Sequence, residues 1–85
     1  DHLLNNQYDD KQKIRKNLTK LNEKIESNPD IPELYCERAK CHQELEDYDL
    51  AIADYDKAIE LDPEYSDSYY QRGVFILNKK ILNYL

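Results

Sequence analysis

Residues 31–65 decide the fold, and they read IPELYCERAKCHQELEDYDLAIADYDKAIELDPEY. Apolar and small side chains recur in this stretch at spacings of three and four, which places them along one face of a helix. A short acidic turn at 44–47 divides the stretch in two, and Asp62-Pro63 ends it because proline cannot continue a helix. The stretch therefore predicts two amphipathic helices, which we name helix A and helix B.

Similar residues return 34 positions further along the chain. The pairs are Tyr35 and Tyr69, Arg38 and Arg72, Ala39 and Gly73, and Pro29 and Pro63. A period of about 34 residues in helical sequence is typical of helix-turn-helix arrays. We therefore expect an all-α fold of antiparallel helix-turn-helix repeats, stacked as an α-α superhelix with about four helices.

Residues 3–27 predict a helix that precedes this repeat. Its apolar residues are spaced mostly by three or four, and they are Leu4, Tyr8, Ile14, Leu18, Leu21 and Ile25. The second half of this helix matches helix B in register, but Asn17 and Lys24 stand where helix B has the small residues Ala51 and Ala58. We therefore assign residues 1–28 to a divergent half-repeat or cap, with a free solvated helix as the alternative.

The complete helical hairpin is assigned to residues 29–65. Asp30 is expected to cap helix A, with Glu33 three residues later completing a capping box, and Asp47 is expected to cap helix B. Residues 66–85 predict a further helix that is apolar over a wide arc. We assign this last segment to helix A of a following repeat or to a C-terminal capping helix.

Charge is spread unevenly along the chain. The net charge is −6, yet residues 29–67 alone hold 13 acidic and 3 basic side chains. Such a field repels phosphate backbones and anionic membrane surfaces, and it favours a partner that is basic or neutral. A merely solvated helical surface is the alternative. The basic run at 11–24 has only Tyr8 nearby for base stacking and several carboxylates close by, so we expect no nucleic-acid binding.

Residues suited to catalysis or metal binding are sparse. Cys36 and Cys41 lie on one predicted helix with Cα atoms about 8 Å apart, too far for an unstrained disulfide, which favours a reducing compartment. His42 follows Cys41 directly, so their side chains diverge, and no second ligand pair completes a tetrahedral site. We expect no enzyme activity, no metal and no cofactor. No apolar run reaches the roughly 18 residues that span a bilayer, so we expect no membrane contact and a cytoplasmic location.

The span 32–65 resembles a tetratricopeptide repeat, a family in which each repeat has large and small residues at fixed places in two antiparallel helices. The matching residues are Tyr35, Ala39, Tyr48, Ala51, Tyr55, Ala58 and Pro63. Arg38 and His42 depart from the pattern, because the family most often has Leu and Tyr at these places. An arginine followed by a small residue resembles a common family variant, and it recurs at Arg72-Gly73.

The resemblance implies that the A helices line a concave groove that receives a peptide. The groove-facing places, carried over to this chain, are Glu33, Cys36, Lys40, Gln43, Asp67, Tyr70, Val74 and Leu77. Family members that grip acidic chaperone tails present Lys and Asn on these faces. Cys36 and Lys40 stand where that clamp would have its first Lys and first Asn, and Asp67 would repel a carboxylate. We therefore expect no chaperone-tail clamp.

Two functions without catalysis are consistent with these residues. The first is an adaptor or scaffold segment whose groove binds a peptide from another protein, with stacked helices holding the groove side chains rigidly before binding. The second is self-association, for example as a homodimer, through the apolar last helix. The residues expected to make that contact are Phe75, Ile81, Leu82 and Leu85.

Overall fold

The computed structural model of the chain describes residues 2–64 and Gly73. Its three helices are α1 (His2–Ser27), α2 (Pro32–Glu44) and α3 (Tyr48–Leu61), and no strand occurs in this part of the chain. Helices α2 and α3 are the predicted helices A and B, so the all-α hairpin is confirmed. The fourth helix, expected at 66–85, lies outside the described residues.

Helix α2 begins one residue later than expected. Its N-cap is Ile31, which has extended backbone angles, and no side chain hydrogen-bonds to the helix start. The prediction that Asp30 caps this helix together with Glu33 is therefore wrong. The reason is Pro32, which occupies the first helical position and restricts the residue before it to extended geometry.

The turn between α2 and α3 is held by backbone hydrogen bonds. The Asp47 N–H donates to the His42 carbonyl at 2.8 Å and the Glu46 N–H to the Gln43 carbonyl at 3.0 Å, which is the pattern of a Schellman motif. Glu46 has a φ of 63°, the left-handed geometry that this motif requires. Asp47 is the N-cap of α3 as predicted, although its side chain makes no capping hydrogen bond.

The far end of α3 agrees with the sequence. The helix ends at Leu61 and its C-cap is Asp62, which has extended backbone geometry before Pro63. The Asp62 side chain accepts a hydrogen bond from the Glu64 N–H at 3.1 Å, so it stabilises the turn that follows. The predicted role of Asp62-Pro63 as a helix stop is confirmed.

Small residues bring α2 and α3 together. Ala39 of α2 and Ala51, Tyr55 and Ala58 of α3 are all 0% exposed. Alanine at such contacts lets helix backbones approach closely, and Tyr55 fills the space between them. Helix α1 also packs against α2 and contributes Ile25 to the same core cluster.

A partly buried ion pair joins α2 and α3, and a further hydrogen bond of the same arginine reaches α1. Arg38 of α2 donates from Nε to Asp54 Oδ2 at 2.8 Å and from Nη2 to Asp54 Oδ1 at 2.7 Å, which is a bidentate contact. Its Nη1 donates to Asn22 Oδ1 of α1 at 3.0 Å. The hydrogen bonding to Asp54 raises the pKa of the Arg38 guanidinium above its ordinary value, against the opposing effect of partial burial. At this place between the helices Arg38 makes a polar contact instead of an apolar one. Its positive charge compensates the negative charge of the Asp54 carboxylate.

Two further contacts surround this ion pair. The Arg38 guanidinium lies 5.5 Å from the centre of the Tyr35 ring, and the Tyr35 hydroxyl donates to the Pro29 carbonyl at 2.7 Å. His42 Nε2 lies 3.5 Å from Asp54 Oδ2, so this histidine packs against the pair. Tyr35 thus anchors the loop that connects α1 with α2, and Asp54 anchors the contact between α2 and α3.

Candidate protein-binding surfaces

The groove expected from the sequence is described on its α2 side only. Glu33 and Lys40 are exposed there. Gln43 is half-buried, and its Oε1 accepts a hydrogen bond from the Tyr55 hydroxyl, which orients the amide. The predicted groove residues outside the described part are Asp67, Tyr70, Val74 and Leu77, and the predicted self-association residues outside it are Phe75, Ile81, Leu82 and Leu85.

Cys36 lies elsewhere than the resemblance implies. Its side chain is 3% exposed and belongs to the core cluster with Ala39 and Tyr55. A thiol behaves as a small apolar group, so it packs well beside alanine in such a core. Cys36 therefore offers no accessible surface to a peptide, in contrast to that expectation, and it is a thiol rather than half of a disulfide.

A cleft of about 280 Å³ separates α1 from α2 on one side of their contact. We name it the lysine cleft, and it is lined by Asn17, Lys20, Leu21 and Lys24 of α1 and Glu37, Lys40 and Cys41 of α2. The three lysines are exposed, and within the described part of the chain none of them forms an ion pair. Three cations and one carboxylate make this a locally positive site on an acidic protein.

The floor of the lysine cleft is uncharged. Leu21 is 6% exposed, and Cys41 is half-buried. Burial raises the pKa of the Cys41 thiol, and the carboxylates of Glu44 and Glu37 raise it further. The thiol therefore keeps its proton at neutral pH and adds no negative charge beside the lysines.

A second cleft, of about 310 Å³, lies at the α2–α3 turn. Its lining consists of Glu46, Asp47, Tyr48, Asp49 and Leu50, so it is acidic, with one apolar side chain. Leu50 is 54% exposed.

Among the residues that the structure describes, no three His, Cys, Asp or Glu side chains are grouped to hold a metal ion. None of the helices in that part has an apolar window long enough to cross a bilayer.

Sequence reasoning missed two features of these surfaces. It noted Asn17 and Lys24 as departures from the small residues of helix B but did not connect them with Lys20 and Lys40 in one cleft. It also did not single out Asp54. The signal for Asp54 was present, because it lies three residues after Ala51 and four before Ala58, on the face that the pattern predicts to be buried.

Comparisons with known proteins agree with the helical hairpin. The profile of the tetratricopeptide repeat family matches residues 32–65, and a second profile with the same description matches residues 54–83. Over 53 residues the chain is 47% identical to serine/threonine-protein phosphatase T of Aspergillus oryzae, a match that covers 62% of the chain and 11% of that protein.

Two further relatives match the chain. Protein SGT1 homolog of Homo sapiens is 36% identical over 63 residues, which cover 74% of the chain and 17% of that protein. Protein SGT1 homolog of Oryza sativa subsp. japonica is 47% identical over 49 residues, which cover 58% of the chain and 13% of that protein. The chain thus spans less than a fifth of the length of each of these three relatives.

Proposed function

Because the chain belongs to the tetratricopeptide repeat family, whose members are protein–protein interaction modules, we propose that it is a non-catalytic adaptor or scaffold segment. It binds a peptide of a partner protein in the groove lined by its A helices. The observation that carries this proposal is the two-sided character of α2. One face places Cys36 and Ala39 in the core, while Glu33 and Lys40 stay exposed along the helix.

Preorganisation is the proposed mechanism of binding. The Tyr55 hydroxyl orients Gln43, and the Arg38–Asp54 pair fixes α2 against α3 before any partner arrives. Side chains that are already ordered lose less conformational entropy on association, so more of the contact energy contributes to affinity. Groove residues on the described side would then be Glu33, Lys40 and Gln43, joined by the predicted residues Asp67, Tyr70, Val74 and Leu77.

The partner segment for this groove is basic or neutral. Glu33 is exposed at the start of α2, and the acidic cleft at the α2–α3 turn adds to the negative field of the repeat. A cytoplasmic site of action is supported by Cys36 and Cys41 being thiols, since disulfides are rare in reducing compartments.

Peptide binding is tested with an array of short immobilised peptides of basic, neutral and acidic composition. We expect the chain to bind basic or neutral peptides, and Glu33→Lys to weaken the basic ones by about tenfold because it reverses a groove charge. Glu60→Lys is the matched control, because Glu60 is an exposed carboxylate of α3 outside the groove. An array without bound peptides, or equal losses for both variants, would refute groove binding.

Self-association through the last helix is the second candidate. Its support is Gly73, the counterpart of Ala39 one repeat later. Ala39 is 0% exposed, whereas Gly73 is exposed, and a Cβ atom built on it would meet nothing within 4 Å. The test is solution mass by light scattering over a range of concentrations. A mass that doubles, and returns to one chain in an Ile81→Lys/Leu85→Lys variant, would favour self-association over groove binding.

A further inference from the structure

The lysine cleft has a charge opposite to that of the repeat around it, and the proposed groove function does not account for it. We propose that this cleft is a second binding site, which takes an acidic peptide segment of a partner protein. The proposal goes beyond the groove function because it concerns a different pair of helices and a partner of different charge. Lys40 borders both surfaces, so Lys20 and Lys24 are the residues that separate the two.

The cleft exists because α1 departs from the repeat pattern. Asn17 and Lys24 occupy the places of Ala51 and Ala58, which in α3 are 0% exposed and pack directly against α2. Both side chains are exposed on α1, and polar groups at these places keep their contact with water. The face that is core in α3 is therefore an accessible cleft in α1.

Electrostatics favours an anionic occupant. Lys20, Lys24 and Lys40 line one cleft, and in the described residues no carboxylate lies within ion-pair distance of any of them. Unpaired cations around a concave surface focus their field into it and attract carboxylates. An acidic segment thus gains contacts here that no side chain of the described part already supplies.

The apolar part of the cleft lining determines which kind of anionic ligand fits best. The half-buried, protonated Cys41 thiol and the largely covered Leu21 side chain give the lining a small apolar part, and about 280 Å³ accommodates a side chain of the partner. A peptide with an apolar residue flanked by carboxylates satisfies both parts of the cleft. Among the described residues that line the cleft, Glu37 is the one carboxylate, so the positive charges outnumber it three to one.

A nucleic acid satisfies the cleft less well. No aromatic side chain of the described residues lines it, so bases find no stacking platform among them. A long phosphate backbone would also extend from the cleft into the negative field of residues 29–67, which hold 13 acidic and 3 basic side chains. A short peptide can place a few carboxylates in the cleft without this repulsion.

The experiment measures fluorescence anisotropy of a short labelled peptide with alternating Glu and Leu, titrated with the chain. We expect saturable binding that weakens with added salt. A peptide with Gln in place of each Glu should not bind. In the variant Lys20→Glu/Lys24→Glu, affinity for the acidic peptide should fall by about tenfold or more, since two attractive charges become repulsive.

The matched control is Lys11→Glu/Arg15→Glu, which makes the same change in net charge on α1. Lys11 and Arg15 are exposed and do not line the cleft. We expect this control to bind the acidic peptide within about twofold of the parent chain, because the added charges are distant and screened. Circular dichroism melts of both variants verify that α1 remains folded.

Three results would overturn the proposal. They are an acidic peptide that does not bind the parent chain, equal losses for the cleft variant and its control, and tighter binding of a short labelled oligonucleotide than of the peptide. An array in which the basic and neutral peptides fail to bind refutes the groove but leaves this outcome unchanged, because the cleft is tested with acidic peptides and Lys20 and Lys24 belong to the cleft alone. The two proposals can therefore fail separately.

Discussion

Helices α1 and α3 match in register along the repeat, yet they pack against α2 differently. On α3 the contact face consists of Ala51, Tyr55 and Ala58, all 0% exposed. One repeat earlier, α1 has Asn17, Leu21 and Lys24, of which only Leu21 is buried. Small side chains permit close helix packing, whereas Asn and Lys retain water. Two residues per helix thus decide whether a face becomes core or the wall of a cleft.

Exchanging residues between these equivalent places should have the largest effect. Ala58→Lys puts a long cationic side chain where the native residue is 0% exposed. We expect a loss of roughly 3 kcal/mol or more in the free energy of unfolding, because the ammonium is desolvated and the contact is overfilled. A chain of this length has little stability to spare. A circular dichroism melt should then lose its cooperative transition.

Lys24→Ala is the control for that substitution. Lys24 is exposed on α1, and we expect its replacement by alanine to change stability by no more than about 0.5 kcal/mol. If Ala58→Lys melts like the parent chain, the α2–α3 contact is looser than described. If Lys24→Ala is as damaging as Ala58→Lys, the two contacts do not differ in the way proposed.

The helices themselves were predictable because their determinants are local. Apolar spacing, the acidic turn and Asp62-Pro63 lie within a few residues of the structure they specify. The capping role of Asp30 failed because Pro32 imposes its own geometry on the residue before it. The preference of Asp30 for the N-cap position was thus outweighed by the geometry that Pro32 imposes. Giving Pro32 the greater weight would have predicted Ile31 as the N-cap.

The polar centre of the α2–α3 contact provides the second prediction. Arg38→Met leaves the Asp54 side chain, 8% exposed, without its bidentate partner. We expect this variant to lose about 3 kcal/mol of unfolding free energy, since a buried carboxylate remains uncompensated. Asp54→Asn should lose only about 1 kcal/mol, because the Arg38 side chain is 24% exposed and can be hydrated. Urea unfolding of both variants measures the difference.

The double variant Arg38→Met/Asp54→Leu separates charge burial from simple contact loss. We expect it to recover most of the stability lost in Arg38→Met, because apolar side chains can replace a buried pair without leaving a charge behind. Equal losses in the two single variants, or additive losses in the double variant, would show that burial of Asp54 is not what makes Arg38 important.

The binding surfaces were less predictable than the helices because they depend on contacts between distant residues. Arg38 and Asp54 are 16 residues apart, and the lysine cleft needs Lys24 of α1 beside Lys40 of α2. Helical periodicity states which residues share a face, but it does not state which face lies against which neighbour. Cys36 is an example. Its place in the repeat predicted that it faces the groove, but the packing of the helices buries it in the core.

The two cysteines of α2 allow a comparison of the buried side of this helix with the side that lines the lysine cleft. Cys36 is 3% exposed in the core, whereas Cys41 is half-buried in the lysine cleft. Alkylation by iodoacetamide, followed by peptide mapping, should therefore modify Cys41 first and Cys36 only as the chain unfolds. If both thiols react at the same rate in the folded chain, the core around Cys36 is open and the contrast between the two sides fails.

The pH dependence of this reaction is the smallest effect and the finest test. Burial, with Glu44 and Glu37 as lesser causes, raises the pKa of the Cys41 thiol, so its alkylation should require a higher pH than in the chain unfolded by urea. Because the folded thiol keeps its proton where the unfolded one loses it, the stability contributed by this group is full below the unfolded pKa and is lost as pH rises through the folded value. Glu37→Gln/Glu44→Gln removes only the two carboxylates. It should return the alkylation midpoint part of the way, and a complete return would mean that burial in the cleft is not the main cause.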